Sequence, residues 1–411
     1  MNKKDEIVMK TDARNSQYYV DLENTYGAHN YHPIPVVISK AEGVWVWDPE
    51  GRKYMDCLSS YSAVNQGHRH PKIIAAMNDQ AGKVTLTSRA FHNDMLGPYL
   101  KRLTEYTQME VALPMNTGAE AVETAIKIAR KWGYEKKGVA NGKAEIIACE
   151  ENFHGRTTTI VGFSTDPIAR DGFGPATPGF KIIPYNDTAA LEAAITGNTV
   201  GFLVEPIQGE AGVKVPDKGY LESVKAVCRK HNVLLMLDEV QTGFCRTGKA
   251  FAWMHEGAKP DILMVGKALG GGVYPVSAAL ASKDVMSVIR PGEHGSTFGG
   301  NPLACAVAMA ALDVLLEENL EENAAALGER FRAGLVALEN DKIAEVRGVG
   351  LLNAIDIKQE AGKARIYAEK LKDLGVLAKE THESTIRFAP PLVIKEDQID
   401  WLVEKVGEAL A

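Results

Sequence analysis

The chain predicts an α/β fold: a mostly parallel sheet covered by helices, followed by a smaller α/β domain. Two observations carry this. From about residue 110 to 296, short apolar runs at 145 to 149, 202 to 205, 233 to 238 and 262 to 266 alternate with helical stretches. Apolar strands separated by helices are the mark of a sheet buried on both faces. The last stretch, from about residue 300, mixes short strands with helices whose apolar residues recur at helical spacing. With 411 residues the chain can bury a large core, and its length suggests about two or three domains.

Taken in order, the amino terminus (Met1 to Lys10) has no apolar signal core, and its acids fit a transit peptide poorly. No apolar span approaches the length of a membrane helix. Residues 43 to 58 read as a hairpin, with aromatic and β-branched residues alternating on either side of Pro49-Glu50-Gly51. Residues 111 to 123 run from a strand through Thr117-Gly118 into a helix whose apolar face includes Val122, Ala125 and Ala129. Pro302 sits where a first helical turn tolerates it, at the head of a long helix. A second helix follows with Leu327, Phe331, Leu335 and Leu338 on one face, and a last one carries Ile399, Leu402, Val403 and Val406. The expected division is an N-terminal segment (1–45) packing with the small domain, a large domain (46–297) and a C-terminal small domain (298–411).

Charge and cysteine usage exclude some partners. A net charge of −7 without a sustained basic block argues against nucleic acid or an anionic membrane surface. The five cysteines (Cys57, Cys149, Cys228, Cys245 and Cys305) lack CxxC spacing, so a reduced cytoplasm is the expected compartment and no zinc site is predicted. His68-Arg69-His70-Pro71 lacks a third ligand at suitable spacing and reads as a loop before the next helix. Gly270-Gly271-Gly272 is not a phosphate-binding Walker loop, because its lysine precedes the glycines.

The chemistry centres on Lys267. It follows the apolar run Ile262 to Gly266 and opens Lys-Ala-Leu-Gly-Gly-Gly, so a buried strand delivers an amine to a glycine turn. Another apolar run, Val233 to Leu237, ends in Asp238. Ligands of open α/β sheets sit at the carboxyl ends of strands, where both residues emerge. A lysine that forms a Schiff base and an acid that pairs with a protonated pyridine nitrogen suit pyridoxal phosphate. A structural ion pair between the two is the competing reading.

Further motifs fit the same group. Amides at the helix start after Thr117-Gly118 can bind a phosphate without a basic side chain, although an ordinary capped helix has the same pattern. Phe153-His154-Gly155-Arg156 follows the strand 145 to 149, offering a ring to stack on a pyridine and a guanidinium for a carboxylate. Ser296-Thr297-Phe298-Gly299-Gly300-Asn301-Pro302 supplies hydroxyls and amides before a helix.

With these motifs in place, nearly the whole chain resembles the class III pyridoxal-phosphate aminotransferases of fold type I. Within them it is most similar to the branch acting on ornithine. The resemblance is carried by Tyr26-Gly-Ala-His-Asn-Tyr-His-Pro, Ser59-Ser-Tyr-Ser-Ala-Val-Asn-Gln-Gly-His, Glu205-Pro-Ile-Gln-Gly-Glu-Ala-Gly and Leu237-Asp-Glu-Val-Gln-Thr-Gly. It implies a seven-stranded, mostly parallel sheet in the large domain and a homodimer with sites at the subunit interface. Lys267 would hold the cofactor, Asp238 its pyridine nitrogen, Gln241 its phenolic oxygen and Phe153 its ring face. Gly118 and Ala119 would bind the phosphate by their amides, with Ser296 and Thr297 reaching in from the partner. Position 119 departs from the bulkier or hydroxylated residues of relatives, which a backbone contact tolerates.

For substrates the resemblance implies Tyr31 and Arg156 for the carboxylate distant from the reacting amine, and Tyr61 for the pocket wall. Arg387 would bind the α-carboxylate of glutamate or 2-oxoglutarate, and Glu210 would neutralise it when that carboxylate is absent. The implied reaction moves the δ-amine of L-ornithine to 2-oxoglutarate. Relatives acting on acetylornithine, 4-aminobutyrate or a polyamine are the nearest rivals. A binding protein that kept the fold is the rival from another class.

Overall fold

The computed structural model describes residues 15–411. The reading of Met1 to Lys10 therefore lies outside the described residues. A seven-stranded sheet forms the centre. Its strands are β1 (Val111–Met115), β2 (Glu145–Cys149), β3 (Phe180–Ile183), β4 (Thr199–Val204), β5 (Leu234–Asp238), β6 (Ile262–Val265) and β7 (Ser277–Ala281), in the spatial order β1-β7-β6-β5-β4-β2-β3. Only β7 runs antiparallel to its neighbours, so the other six share one direction. Their carboxyl ends therefore open on one edge, the side where ligands of such sheets collect.

Side-chain alternation explains why the sheet is apolar throughout. Ile146, Ala148, Leu234, Met236, Ile262 and Met264 pack on one side with Val122, Ala125 and Ala129 of helix α1 (Gly118–Trp132). The intervening Ile147, Cys149, Leu235, Leu237, Leu263 and Val265 pack on the other side with Leu312 and Leu315 of helix α2 (Pro302–Glu317). Both faces are thus dry, which excludes the polar alternation of a half-exposed strand.

The C-terminal region forms an antiparallel sheet of β8 (Ile343–Val349), β9 (Leu352–Ile357), β10 (Lys379–Thr381) and β11 (Thr385–Phe388), ordered β8-β9-β11-β10. Helices α3 (Leu320–Ala337) and α4 (Glu396–Leu410) contribute the buried Phe331, Leu335, Ile399 and Leu402 to its core. The region 43 to 58 is a hairpin, Trp45–Trp47 paired with Lys53–Asp56. At its turn the Asp48 carboxylate accepts from the Arg52 amide at 2.8 Å and from the Tyr54 hydroxyl at 3.0 Å. This small sheet gains a parallel strand from Val376–Leu377, which pairs with Met55 and Asp56 and ties the hairpin to the C-terminal region.

Two local features position the site. Arg246 is fully buried, and its guanidinium donates to Asn65 Oδ1 and to the carbonyls of Leu351 and Pro390, tying the central sheet to the C-terminal region. Burial pushes its pKa down to about 9. Ser59, Ser60, Tyr61 and Ser62 form a left-handed turn with φ of 49°, 48°, 60° and 72°. For L-residues that conformation costs about 1–2 kcal/mol each, so surrounding contacts must hold it.

Candidate active site

Five parallel strands end on one cavity of about 180 Å³. After β1 comes Thr117, which caps α1: its hydroxyl accepts from the Glu120 amide at 3.2 Å, while the Glu120 carboxylate accepts from the Thr117 amide at 2.8 Å. The amides of Gly118 and Ala119 come next in the first turn, where a helix has no internal acceptor for them. Gly118 is glycine for close packing, since a Cβ would meet Val240 Cγ1 at 2.8 Å. Ser277 on β7 donates to the Thr117 carbonyl at 2.7 Å and fastens this loop to the sheet.

Asp238 ends β5 and is buried. Its Oδ1 accepts from the Val240 amide at 3.1 Å, and its Oδ2 lies 2.8 Å from Nδ1 of the fully buried His154. Burial opposes a charged imidazole, but the hydrogen bond and charge of Asp238, with help from Glu205, outweigh it and raise the His154 pKa. Glu205 lies just beyond β4, accepts from the Phe153 amide at 2.9 Å and is pushed up to about 7, chiefly by burial.

Lys267 follows β6 in a left-handed conformation, φ +46°, at the head of a short 3₁₀ turn, Lys267–Gly270. A non-glycine residue there points to local strain at a functional position. Desolvation of the amine lowers its pKa from the ordinary lysine value, against the opposing pull of Glu210 and Asp238. Depressed lysines of this kind are reactive amines.

Glu210 joins Arg387 to Gln241. Arg387, buried on β11 with Ile386 and Phe388 facing away from it, donates from Nη1 to Glu210 Oε1 at 2.7 Å and to the Gly209 carbonyl at 3.2 Å. Gln241 Nε2 donates to the same Glu210 oxygen at 3.1 Å. Burial would raise the Glu210 pKa, but the Arg387 charge and hydrogen bond prevail and hold it down at about 2.

The structure brings Gly118, Ala119, Phe153, Glu210, Asp238, Gln241 and Lys267 to this single cavity, with Arg387 joined through Glu210. Tyr31 and Tyr61 line a second cavity of about 380 Å³ with Asp56, Ser60 and Lys379, and the Tyr61 ring also reaches toward the first, 5.5 Å from the Arg387 guanidinium carbon. Arg156 is exposed, its guanidinium 5.7 Å from the Phe153 ring centroid, and it forms no ion pair among the described residues. Ser296 lies outside the cavity, where its hydroxyl accepts from Asn116 Nδ2 at 2.9 Å, and Thr297 beside it is exposed. His68 and His70 are engaged separately, by Asp56 and Glu318. His154 and Glu205 were not assigned roles on sequence grounds. Their position directly beyond β2 and β4, at the same edge as Asp238, is the signal that finds them.

Pyridoxal phosphate fits this residue set. Among the described residues His154 Nε2 and Gln241 Oε1 are buried without a hydrogen-bond partner, and Gly209 leaves room only for Gln241, since a Cβ would fall 1.4 Å from Gln241 Oε1. A polar aromatic ligand bearing a ring nitrogen, a hydroxyl and a phosphate matches Asp238, Gln241 and the first turn of α1 in turn.

Comparison with known proteins agrees with this picture. Residues 26–410 match the model of the family described as aminotransferase class-III. An ornithine aminotransferase from Brevibacillus brevis is 57% identical over 397 residues, covering 96% of this chain and 99% of the relative. A solved ornithine aminotransferase from Toxoplasma gondii, with partially occupied PLP at its active site, superposes with a TM-score of 0.96 at 46% identity, covering 99% of this chain and 96% of that one. An acetylornithine aminotransferase from Elizabethkingia anophelis superposes with a TM-score of 0.88 at 53% identity, covering 97% and 99%.

Proposed function

The chain belongs to the class-III aminotransferase family, and from that premise we propose that it is an ornithine δ-aminotransferase using pyridoxal phosphate. It moves the δ-amino group of L-ornithine to 2-oxoglutarate, giving glutamate 5-semialdehyde and glutamate. The semialdehyde then closes on its own α-amine with loss of water to pyrroline-5-carboxylate. The observation that carries the reading is the buried Arg387–Glu210 contact at 2.7 Å beside Lys267.

Pyridoxal phosphate supplies an aldehyde for the substrate amine and a ring that draws electrons from the carbon bearing the nitrogen. Gly118 and Ala119 would offer amides to its phosphate, Asp238, its carboxylate fixed by His154, would pair with its ring nitrogen, and Phe153 would stack on its ring. Lys267, desolvated and biased toward the neutral amine, would take the proton from Cδ of ornithine and deliver it to the carbon that carried the cofactor's aldehyde.

One pocket must take ornithine by its δ-amine and 2-oxoglutarate by its α-keto group. With Glu210 on Arg387, the ornithine α-carboxylate is left to Arg156 and Tyr31, and the δ-amine reaches Lys267. A dicarboxylate displaces Glu210 because its own carboxylate gives Arg387 an equivalent charged partner. The site is completed in a homodimer, with Ser296 and Thr297 serving the partner's phosphate. The enzyme works in the cytoplasm; among the described residues no helix is long and apolar enough to cross a membrane.

An amine panel with 2-oxoglutarate as acceptor tests this. Ornithine should be the best donor, with pyrroline-5-carboxylate as product. A strong preference for acetylornithine, the substrate named for the Elizabethkingia neighbour, would overturn the substrate assignment.

A further inference from the structure

We propose that Asp56 is a positioning residue for Tyr61: it holds the left-handed turn Ser59–Ser62, whose shape fixes the aromatic wall of the substrate pocket against Arg387. The inference rests on the proposed aminotransferase site, and it concerns residues that the cofactor chemistry does not use.

The turn has four successive L-residues at positive φ and no glycine among them, so the sequence does not favour it and its contacts must. Asp56 supplies the first. Its Oδ1 accepts from the amides of Leu58 and Ser59, both at 2.9 Å, and its Oδ2 is held by His68 Nε2 at 2.8 Å. Ser59 supplies another, donating to the Ala389 carbonyl at 2.6 Å, two residues beyond Arg387 on the same segment. At the far side the Tyr61 carbonyl accepts from Gln241 Nε2 at 3.4 Å, and its ring lies 5.5 Å from the Arg387 guanidinium carbon. The Lys379 ammonium is 3.4 Å from the Tyr61 hydroxyl.

Tyr61 therefore touches the two residues that share Glu210, Gln241 by its backbone and Arg387 by its ring. An extended or right-handed path through 59–62 would aim the ring elsewhere. Asp56 is buried on the small sheet, where its carboxylate oxygens are taken up by the Leu58 and Ser59 amides and by His68; it lines the cavity that Tyr61 walls, and its link to Arg387 and Gln241 runs through the turn.

Three variants test this. Asp56→Ala removes the acceptor, Asp56→Asn keeps an oxygen for the two amides, and Ser60→Val places a β-branched residue where φ is +48° on an exposed side chain. Asp56→Ala and Ser60→Val should each raise KM for ornithine about tenfold with kcat within about threefold, a loss of binding that precedes chemistry. The absorption of the bound cofactor should stay as in the wild type, and Asp56→Asn should recover most of the lost affinity. If Asp56→Ala does not fold, Ser60→Val alone decides. Unchanged KM in the folded variants, or a fall in kcat with KM unchanged, overturns the proposal. Failure of the wild-type enzyme to use ornithine would instead sink the substrate assignment, and the same KM comparison would then be made with the amine it prefers.

Discussion

Arg387 and Gln241 meet on one oxygen of Glu210: Nη1 lies 2.7 Å from Oε1, and Gln241 Nε2 lies 3.1 Å from the same atom. The guanidinium and the amide therefore share a single acceptor oxygen. In the proposed cycle, a dicarboxylate that took Arg387 would leave Glu210 with the Gln241 amide as its remaining partner.

Glu210→Ala should leave Arg387 permanently available. Glutamate would no longer displace an ion pair, and its half-reaction should speed up by about tenfold, equivalent to roughly 1.4 kcal/mol. Ornithine would also dock its α-carboxylate on Arg387 and present its α-amine. Stopped-flow spectra of each half-reaction, with product identification, check both outcomes. Unaltered glutamate rates and pyrroline-5-carboxylate as the sole ornithine product would remove Glu210 from the gate.

The pH dependence of that gate follows from its sign. The Glu210 pKa is held down at about 2 in the folded chain against an ordinary 4.5, so the stabilisation by the pair is complete above 4.5 and is lost progressively as pH falls from 4.5 to about 2. The acid limb of the ornithine half-reaction should therefore be the same in wild type and Glu210→Gln down to about pH 5. A limb that disappears in the variant would assign it to Glu210.

Lys267→Ala should lower turnover by about ten-thousandfold or more, because the reacting amine and the proton carrier are lost together. Its effect on folding runs the other way. The amine is desolvated and its pKa depressed, so the cofactor-free chain loses stability as pH falls from the ordinary lysine value of 10.5. Thermal melting of cofactor-free protein at neutral pH should show the variant no less stable than wild type.

Gly209→Ala places a Cβ 1.4 Å from Gln241 Oε1 and 2.6 Å from its Cδ, so the amide must move off Glu210 and the Tyr61 carbonyl. Overpacking of this type costs about 1–3 kcal/mol. A lower melting temperature should accompany a fall of about tenfold or more in kcat/KM for both half-reactions. Wild-type kinetics would show that Gln241 is dispensable.

Strands β2, β5 and β6 were legible because unbroken apolar runs are rare outside a sheet buried on both faces, and Asp238 and Lys267 stood out as charges at their ends. Strand β7 was not. Its Ser-Ala-Ala-Leu-Ala has weak strand preference, and its antiparallel register comes from β1 and β6 on either side. The left-handed turn at 59–62 escaped for a related reason: serine and tyrosine carry no signal for positive φ, and the contacts that enforce it come from Asp56 and from Ala389, 330 residues past Ser59. His154 lies within a legible motif, but its purpose depends on Asp238, 84 residues away, which local spacing cannot reveal.

Glu205 gives the last prediction. Burial first, and then the nearby charges of Asp238 and Glu210, push its pKa up to about 7, while the His154 charge and the Phe153 amide oppose the shift. For an acid raised above its unfolded value of 4.5, the folded chain holds the proton more tightly than the unfolded one. Its contribution is then most favourable below 4.5 and is lost as pH rises to about 7, after which it stays constant. Glu205→Gln removes the titration yet keeps an oxygen for the Phe153 amide. The melting temperature of the cofactor-free variant should fall less than that of the wild type between about pH 5 and pH 7.5. Parallel curves would mean that Glu205 is ionised throughout, and His154 would then face two carboxylates beside the ring-nitrogen position in place of one.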